Sequence, residues 1–212
     1  MTAPLVIIGA GGHARETAFA YLLDAPRERF LGFLDDRAVG QTPEGWPVLG
    51  TIDHAARLAS AKFIIAINDP RTRRTVHGRL RALGIDRWAT VLHPDLRIHA
   101  SVTIGTGCSL LGGCQLTTNI RIGDHCILNR GAQVSHDCVV GEFSSLNPGA
   151  CIAGNVRVGA GCEVGTASAI RQGTTVGAGC TVGMGAIVIE NVPAASVVVG
   201  NPATLLRSAS PW

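Results

Sequence analysis

From Ile98 to Asn191 the chain repeats every six residues without an insertion. Aliphatic residues hold every sixth position: Ile98, Ile104, Leu110, Leu116, Ile122, Leu128, Val134 and onward to Val188. The residue four further on is small or β-branched, as at Val102, Cys108, Cys114 and Ala132. The residue three further on is mostly Gly, Asn or Asp, as at Gly107, Asn119 and Asp137. One bulky inward residue, one small inward residue and one corner tolerant of positive φ make a short strand and a bend. A strict short period of this kind predicts a parallel β-helix, whose rungs bury their apolar faces only by stacking.

The seven cysteines follow the same period. Cys108, Cys114, Cys126, Cys138, Cys162 and Cys180 sit at the small inward position, and Cys151 lies one residue beyond it. The odd number and the absence of a C-x-x-C spacing argue against a disulfide framework or a zinc ribbon. Buried free thiols in a reducing compartment are expected, packing as small hydrophobes.

A chain of 212 residues accommodates one or two domains with a real core. Its net charge of +3 gives no basic surface for nucleic acid. The opening MTAPLVIIGAGG has neither a basic leader nor a long apolar stretch. No apolar run approaches the roughly 20 residues of a membrane span. The expectation is a soluble, cytoplasmic protein with no membrane or nucleic-acid partner.

The N-terminal third has a different rhythm. Pro4 to Ile8 is a continuous apolar run suited to a buried parallel strand. A glycine-rich turn follows, then a helical segment from His13 to Leu23. Phe30 to Leu34 and Lys62 to Ile67 are further strands, and Asp69-Pro70 caps a helix running to about Leu83. This order predicts a small Rossmann-like α/β domain with a parallel sheet. We expect residues 1–92 to form it, with its junction, and residues 93–212 to form the β-helix.

The turn Gly9-Ala10-Gly11-Gly12-His13-Ala14 resembles the dinucleotide fingerprint, in the required strand-to-helix context. Backbone N–H groups at a helix start favour a phosphate. Asp35 and Asp36 end the second strand about 20 residues on, where a carboxylate often meets a ribose. The domain is too short for a two-halved dinucleotide fold, which favours a mononucleotide-type ligand. A tight turn without a ligand is the alternative.

Within the β-helix, polar exceptions to the period stand out. Three hexapeptides per coil would stack residues eighteen apart, setting His136 between Thr118 and Gly154, and Asp137 between Asn119 and Asn155. A histidine over a glycine has open space, and an adjacent carboxylate can orient its ring as in a general-base pair. A surface histidine beside an ordinary turn aspartate is the alternative. His54, His77 and His125 are expected at the surface, and His93 and His99 at the domain junction. His99, His125 and His136 do not share a column, so no zinc site is expected.

In order along the chain, VIIGAGGHARE, FLDD, AINDPRTR, ATVLHP, the hexapeptides, NRGAQVSHDCVVGEF and VVGNPA resemble the PglD and NeuD family of bacterial sugar acetyltransferases. The resemblance spans essentially the whole chain. It implies an α/β domain joined to a left-handed β-helix, a homotrimer, acetyl-CoA as co-substrate, and a nucleotide-linked amino sugar as acceptor. His136 matches the general base, and Asp137 the acid beside it. Gly11, Gly12, His13, Asp35, Asp36 and Asn129 match substrate positions. Gly154, Gly165 and Thr166 fall on the cofactor path, and Ser145 stands where the family often has a second histidine against the thioester. Asn68 replaces a common glycine. Rival readings are an O-acetyltransferase of sialic acid or polysaccharide, a non-catalytic nucleotide-sugar-binding protein and, more distantly, a β-helix metalloenzyme.

Overall fold

The computed structural model describes residues 3–38, 40–58 and 60–212. Its first unit contains β1 (Leu5–Ile8), α1 (Gly12–Leu22), β2 (Phe30–Leu34), β3 (Val48–Gly50), β4 (Lys62–Ile65) and α2 (Pro70–Ala82). The strands form a parallel sheet in the order β3-β2-β1-β4. All four residues of β1 are buried, as expected of a central strand covered on both faces. The helix α2 begins as its sequence predicts, with Pro70 in its first turn and Asp69 accepting from the Thr72 N–H at 2.7 Å. The strand β3 was not anticipated; it is three residues long and only half-buried.

Trp88 bridges to Phe63, and Val91–Leu92 pairs in parallel with Ser109–Leu110. From there the chain winds as a parallel β-helix. The two-residue strands pair eighteen residues on, as in Ile127 with Ser145 and Val139 with Arg157, until the last coil, where Thr181–Val182 pairs with Val197–Val198. Three stacked sheets result. The first face carries the 109–110, 127–128 and 145–146 strands, the second 115–116, 133–134 and 151–152, the third 121–122, 139–140 and 157–158.

Leu110, Leu128, Val134, Val140 and Leu146 fill one continuous core with six of the cysteines, and Cys151 is half-buried. All seven thiols are free. The corners take positive φ at Asn119, His125, Asp137, Phe143 and Asn155, the positions the six-residue period marks for bends. At Gly165, an added Cβ would lie 2.6 Å from the Met184 nitrogen on the next coil, so close stacking alone requires glycine there.

The α/β unit docks on the first face. Arg73, fully buried on α2, makes this joint. Its guanidinium donates to the carbonyls of Ile67 and Asn68 on the turn after β4, and to those of His125 and Phe143 at two β-helix corners. It also donates to Ser145 Oγ at 3.0 Å. His125 is therefore not a surface residue. It is 3% exposed, stacks on Phe143 with ring centroids 4.9 Å apart, and meets His77 and Trp88. His77 is half-buried in the same cluster.

Candidate functional site

The sheet order reverses at β1. The chain moves from β1 to β2 on one side and arrives at β4 on the other, leaving a crevice at the carboxyl ends of the strands. A pocket of about 500 Å³ occupies this crevice. Gly9, Gly11, Gly12 and His13 line it after β1, Asp35 and Asp36 after β2, and Ala66, Ile67 and Asn68 after β4. The start of α1 has no side-chain cap, so its first-turn N–H groups are available to an anion. A Cβ on Gly11 or Gly12 would meet nothing within 4 Å. The packing of the fold does not require glycine at these two positions, and without side chains they leave the backbone open to the crevice.

Both carboxylates hold the scaffold as well as line the pocket. Asp35 accepts from the Ala10 N–H at 2.8 Å, tying the glycine turn to β2, and from Arg37 and Ala38 N–H groups. Asp36 accepts from the Ile52 N–H and pairs with Arg79 at 2.5 Å. The Arg79 hydrogen bond holds the Asp36 carboxyl below its usual range. His13 meets Ser109 Oγ at 3.0 Å across the joint between the units. Burial, reinforced by the nearby Arg73 cation, lowers its pKa to about 4, so this imidazole is neutral at physiological pH. Its Nδ1 is buried without a partner.

His136 and Asp137 occupy the corner between the second and third faces of the β-helix. His136 Nδ1 and Asp137 Oδ2 are 2.8 Å apart. Asn119, one coil before, donates to Asp137 Oδ1 at 2.5 Å. That bond first, and the His136 contact second, hold the Asp137 carboxyl below its usual range. An ionised Asp137 can only accept, so Nδ1–H donates to it and, in the neutral ring, Nε2 carries the free lone pair. The His136 ring lies over Gly154, where an added Cβ would stand 2.5 Å from it. Its side chain remains half exposed.

The other expected positions divide. Asn129 is buried at the corner between the first and second faces, where its Oδ1 accepts from the Arg130 N–H. Thr166 is exposed and close in sequence to Gly165. Ser145 falls at the joint between the units. Ser145 is fully buried under the α/β unit, and its hydroxyl is held between the Asn68 carbonyl at 2.6 Å and Arg73. Both of these bonds tie it to the α/β unit. The docking of α2 on this face decides its role, and no local pattern reports such docking. Among the described residues, no group of three or more metal-ligating side chains comes together. No described helix is long and apolar enough to cross a membrane.

A nucleotide-type crevice joined to a β-helix bearing a carboxylate-oriented histidine defines a two-unit acyltransferase. A family model for the PglD N-terminal domain matches residues 4–80. The acetyltransferase domain of PglB from Neisseria gonorrhoeae FA1090, solved with acetyl coenzyme A, is 34% identical, with 97% of this chain and 100% of that chain covered and a TM-score of 0.87. WeeI from Acinetobacter baumannii AYE is 32% identical over 96% of this chain and 99% of that one, with a TM-score of 0.82. PerB from Caulobacter crescentus, solved with CoA and GDP-perosamine, is 28% identical over 98% and 99%, with a TM-score of 0.88. Comparison with curated proteins yields no match. The chain belongs to the PglD/NeuD-like family of sugar acetyltransferases.

Proposed function

We propose that the protein transfers the acetyl group of acetyl-CoA to the amine of a nucleotide-linked amino-deoxy sugar, with His136 as general base. The observation that carries this reading is the His136–Asp137 pair, with Nδ1 engaged and Nε2 free above Gly154. The crevice at the glycine turn supports the nucleotide end. The acetyl-CoA and GDP-perosamine in the related structures fit the same chemistry.

In the reaction the sugar amine attacks the thioester carbonyl. The C–N bond forms, the C–S bond breaks, and the amine proton passes to His136 Nε2 and on to the departing CoA sulfur. Asp137 orients the imidazole and stabilises its cation. Direct transfer asks nothing of the buried cysteines. In this division of labour residues 1–92 hold the nucleotide-sugar. Residues 93–212 carry the base and the cofactor path at Gly154, Gly165 and Thr166, and Val91–Leu92 belongs to the joint between them.

The working unit in this reading is a homotrimer. The crevice lies on the side of the first β-helix face, whereas His136 projects from the corner opposite that face. A neighbouring copy that sets its crevice against this corner completes the site.

The test is CoA release from acetyl-CoA against UDP-, dTDP- and GDP-linked 4-amino sugars, with free sialic acid as hydroxyl control. Turnover on one amino sugar that falls about 10²-fold or more in His136→Ala is the expected result. Near-full activity of that variant removes the assignment. Binding without turnover makes the protein a nucleotide-sugar binder, and activity on sialic acid alone makes it an O-acetyltransferase.

A further inference from the structure

A hydrogen-bond chain crosses from the crevice into the β-helix, and its far end sets its direction. Asn68 Nδ2 donates to Asn147 Oδ1 at 2.9 Å, and Asn147 Nδ2 donates to Glu163 Oε1 at 3.1 Å. An ionised carboxylate only accepts. Glu163 therefore takes the amide NH2 of Asn147, which turns the Asn147 oxygen toward Asn68. That oxygen takes the NH2 of Asn68 in turn. The group left over is Asn68 Oδ1, an acceptor.

Asn68 lines the crevice, and its Oδ1 is buried without a partner. His13 Nδ1, in the wall of the same crevice, is also buried and unpaired. Buried polar atoms are nearly always satisfied, and an unsatisfied one is costly. Two in one wall mark a place where a ligand supplies the missing partners. The backbone beneath Asn68 is pinned, because its carbonyl accepts from both Ser145 and Arg73. The side chain thus presents its oxygen from a fixed base.

We propose that Asn68 is a specificity-determining residue. Its Oδ1 accepts a hydrogen bond from a ring hydroxyl or amino group of the nucleotide-linked sugar, and Glu163, acting through Asn147, keeps it an acceptor. This rests on the nucleotide-sugar reading above. The glycine turn takes the phosphates, and the seam at Asn68 reads the sugar. A sugar lacking a donor at the matching carbon leaves Oδ1 unpaired and is rejected. In Glu163→Gln the far end can donate as well as accept. The chain can then reverse, and Asn68 can present its NH2.

The experiment compares kcat/KM for GDP-perosamine, and for UDP-linked 4-amino sugars, with counterparts each lacking one ring hydroxyl. Wild type, Asn68→Ala and Glu163→Gln are measured alongside the affinity of each for GDP and UDP alone. Wild type is expected to discriminate at one ring position by about tenfold or more, the worth of one hydrogen bond. Asn68→Ala and Glu163→Gln should both bring that ratio close to one while nucleoside diphosphate affinity holds. A ratio unchanged in Asn68→Ala overturns the role of Asn68, and one lost there but kept in Glu163→Gln overturns the control by Glu163. A wild type that releases CoA with none of these sugars defeats the parent reading instead.

Discussion

The imidazole of His136 occupies the space that a side chain at position 154, one coil further on, would need. The ring is thus seated by the absence of a Cβ on its neighbour and by the Asp137 carboxylate at its Nδ1.

Gly154→Ala should displace the ring and lower kcat by about tenfold or more, since a misplaced catalytic group forfeits orientation. The thermal midpoint should change little, because the half-exposed ring can swing into solvent. Steady-state kinetics beside a melting curve checks this; unchanged kcat would mean that the ring's seat is irrelevant to the chemistry.

Asp137→Asn removes the acceptor that fixes the ring. The plateau of the kcat/KM–pH profile should fall because the ring loses its orienting partner. In the native protein Asp137 titrates below the usual carboxylate range, so it stays ionised throughout the range in which an ordinary histidine titrates. A profile identical to wild type would contradict this arrangement.

Gly11→Ala introduces a methyl group that touches nothing in the protein. Stability should be unaltered, whereas affinity for UDP or GDP should fall by about tenfold or more, since the methyl blocks approach to the N–H groups at the start of α1. Calorimetric titration and a melting curve together separate the two. Full nucleotide affinity would place the phosphates elsewhere.

Acid should destabilise the fold through His13 and His125. Burial first, with Arg73 for His13 and His77 for His125, lowers both to about 4. The unfolded chain takes up these protons near pH 6.5, whereas the folded chain resists them until about pH 4. Their contribution is therefore complete above pH 6.5 and falls as pH drops toward 4, by about 1.4 kcal/mol per unit for each group. Urea unfolding at pH 7.5 and pH 5 measures it. His125→Phe should shallow the dependence; an unaltered slope would show that His125 does not contribute.

The crevice and the His136–Asp137 pair were both legible before the fold was known, for local reasons. The glycine turn sits between a strand and a helix adjacent in the chain, and the eighteen-residue stacking of His136 over Gly154 follows from the six-residue period. The roles of His125 and Ser145 were not legible. Their surroundings come from α2, a segment 52 and 72 residues away in the Arg73 bonds that join them.

The sequence by itself determined the coil, its core of aliphatic residues and cysteines, its bends, and, in the first unit, both helices and the strands β1, β2 and β4. Each depends on interactions between neighbours or between identical rungs, which a period or a cap encodes directly. Only the tertiary structure decided how α2 settles on the first face and which side chains it buries. It also decided that Asn68, Asn147 and Glu163 join in one chain although Asn68 and Asn147 lie 79 residues apart. Such contacts arise where two independently patterned units meet, and neither pattern contains the other's position.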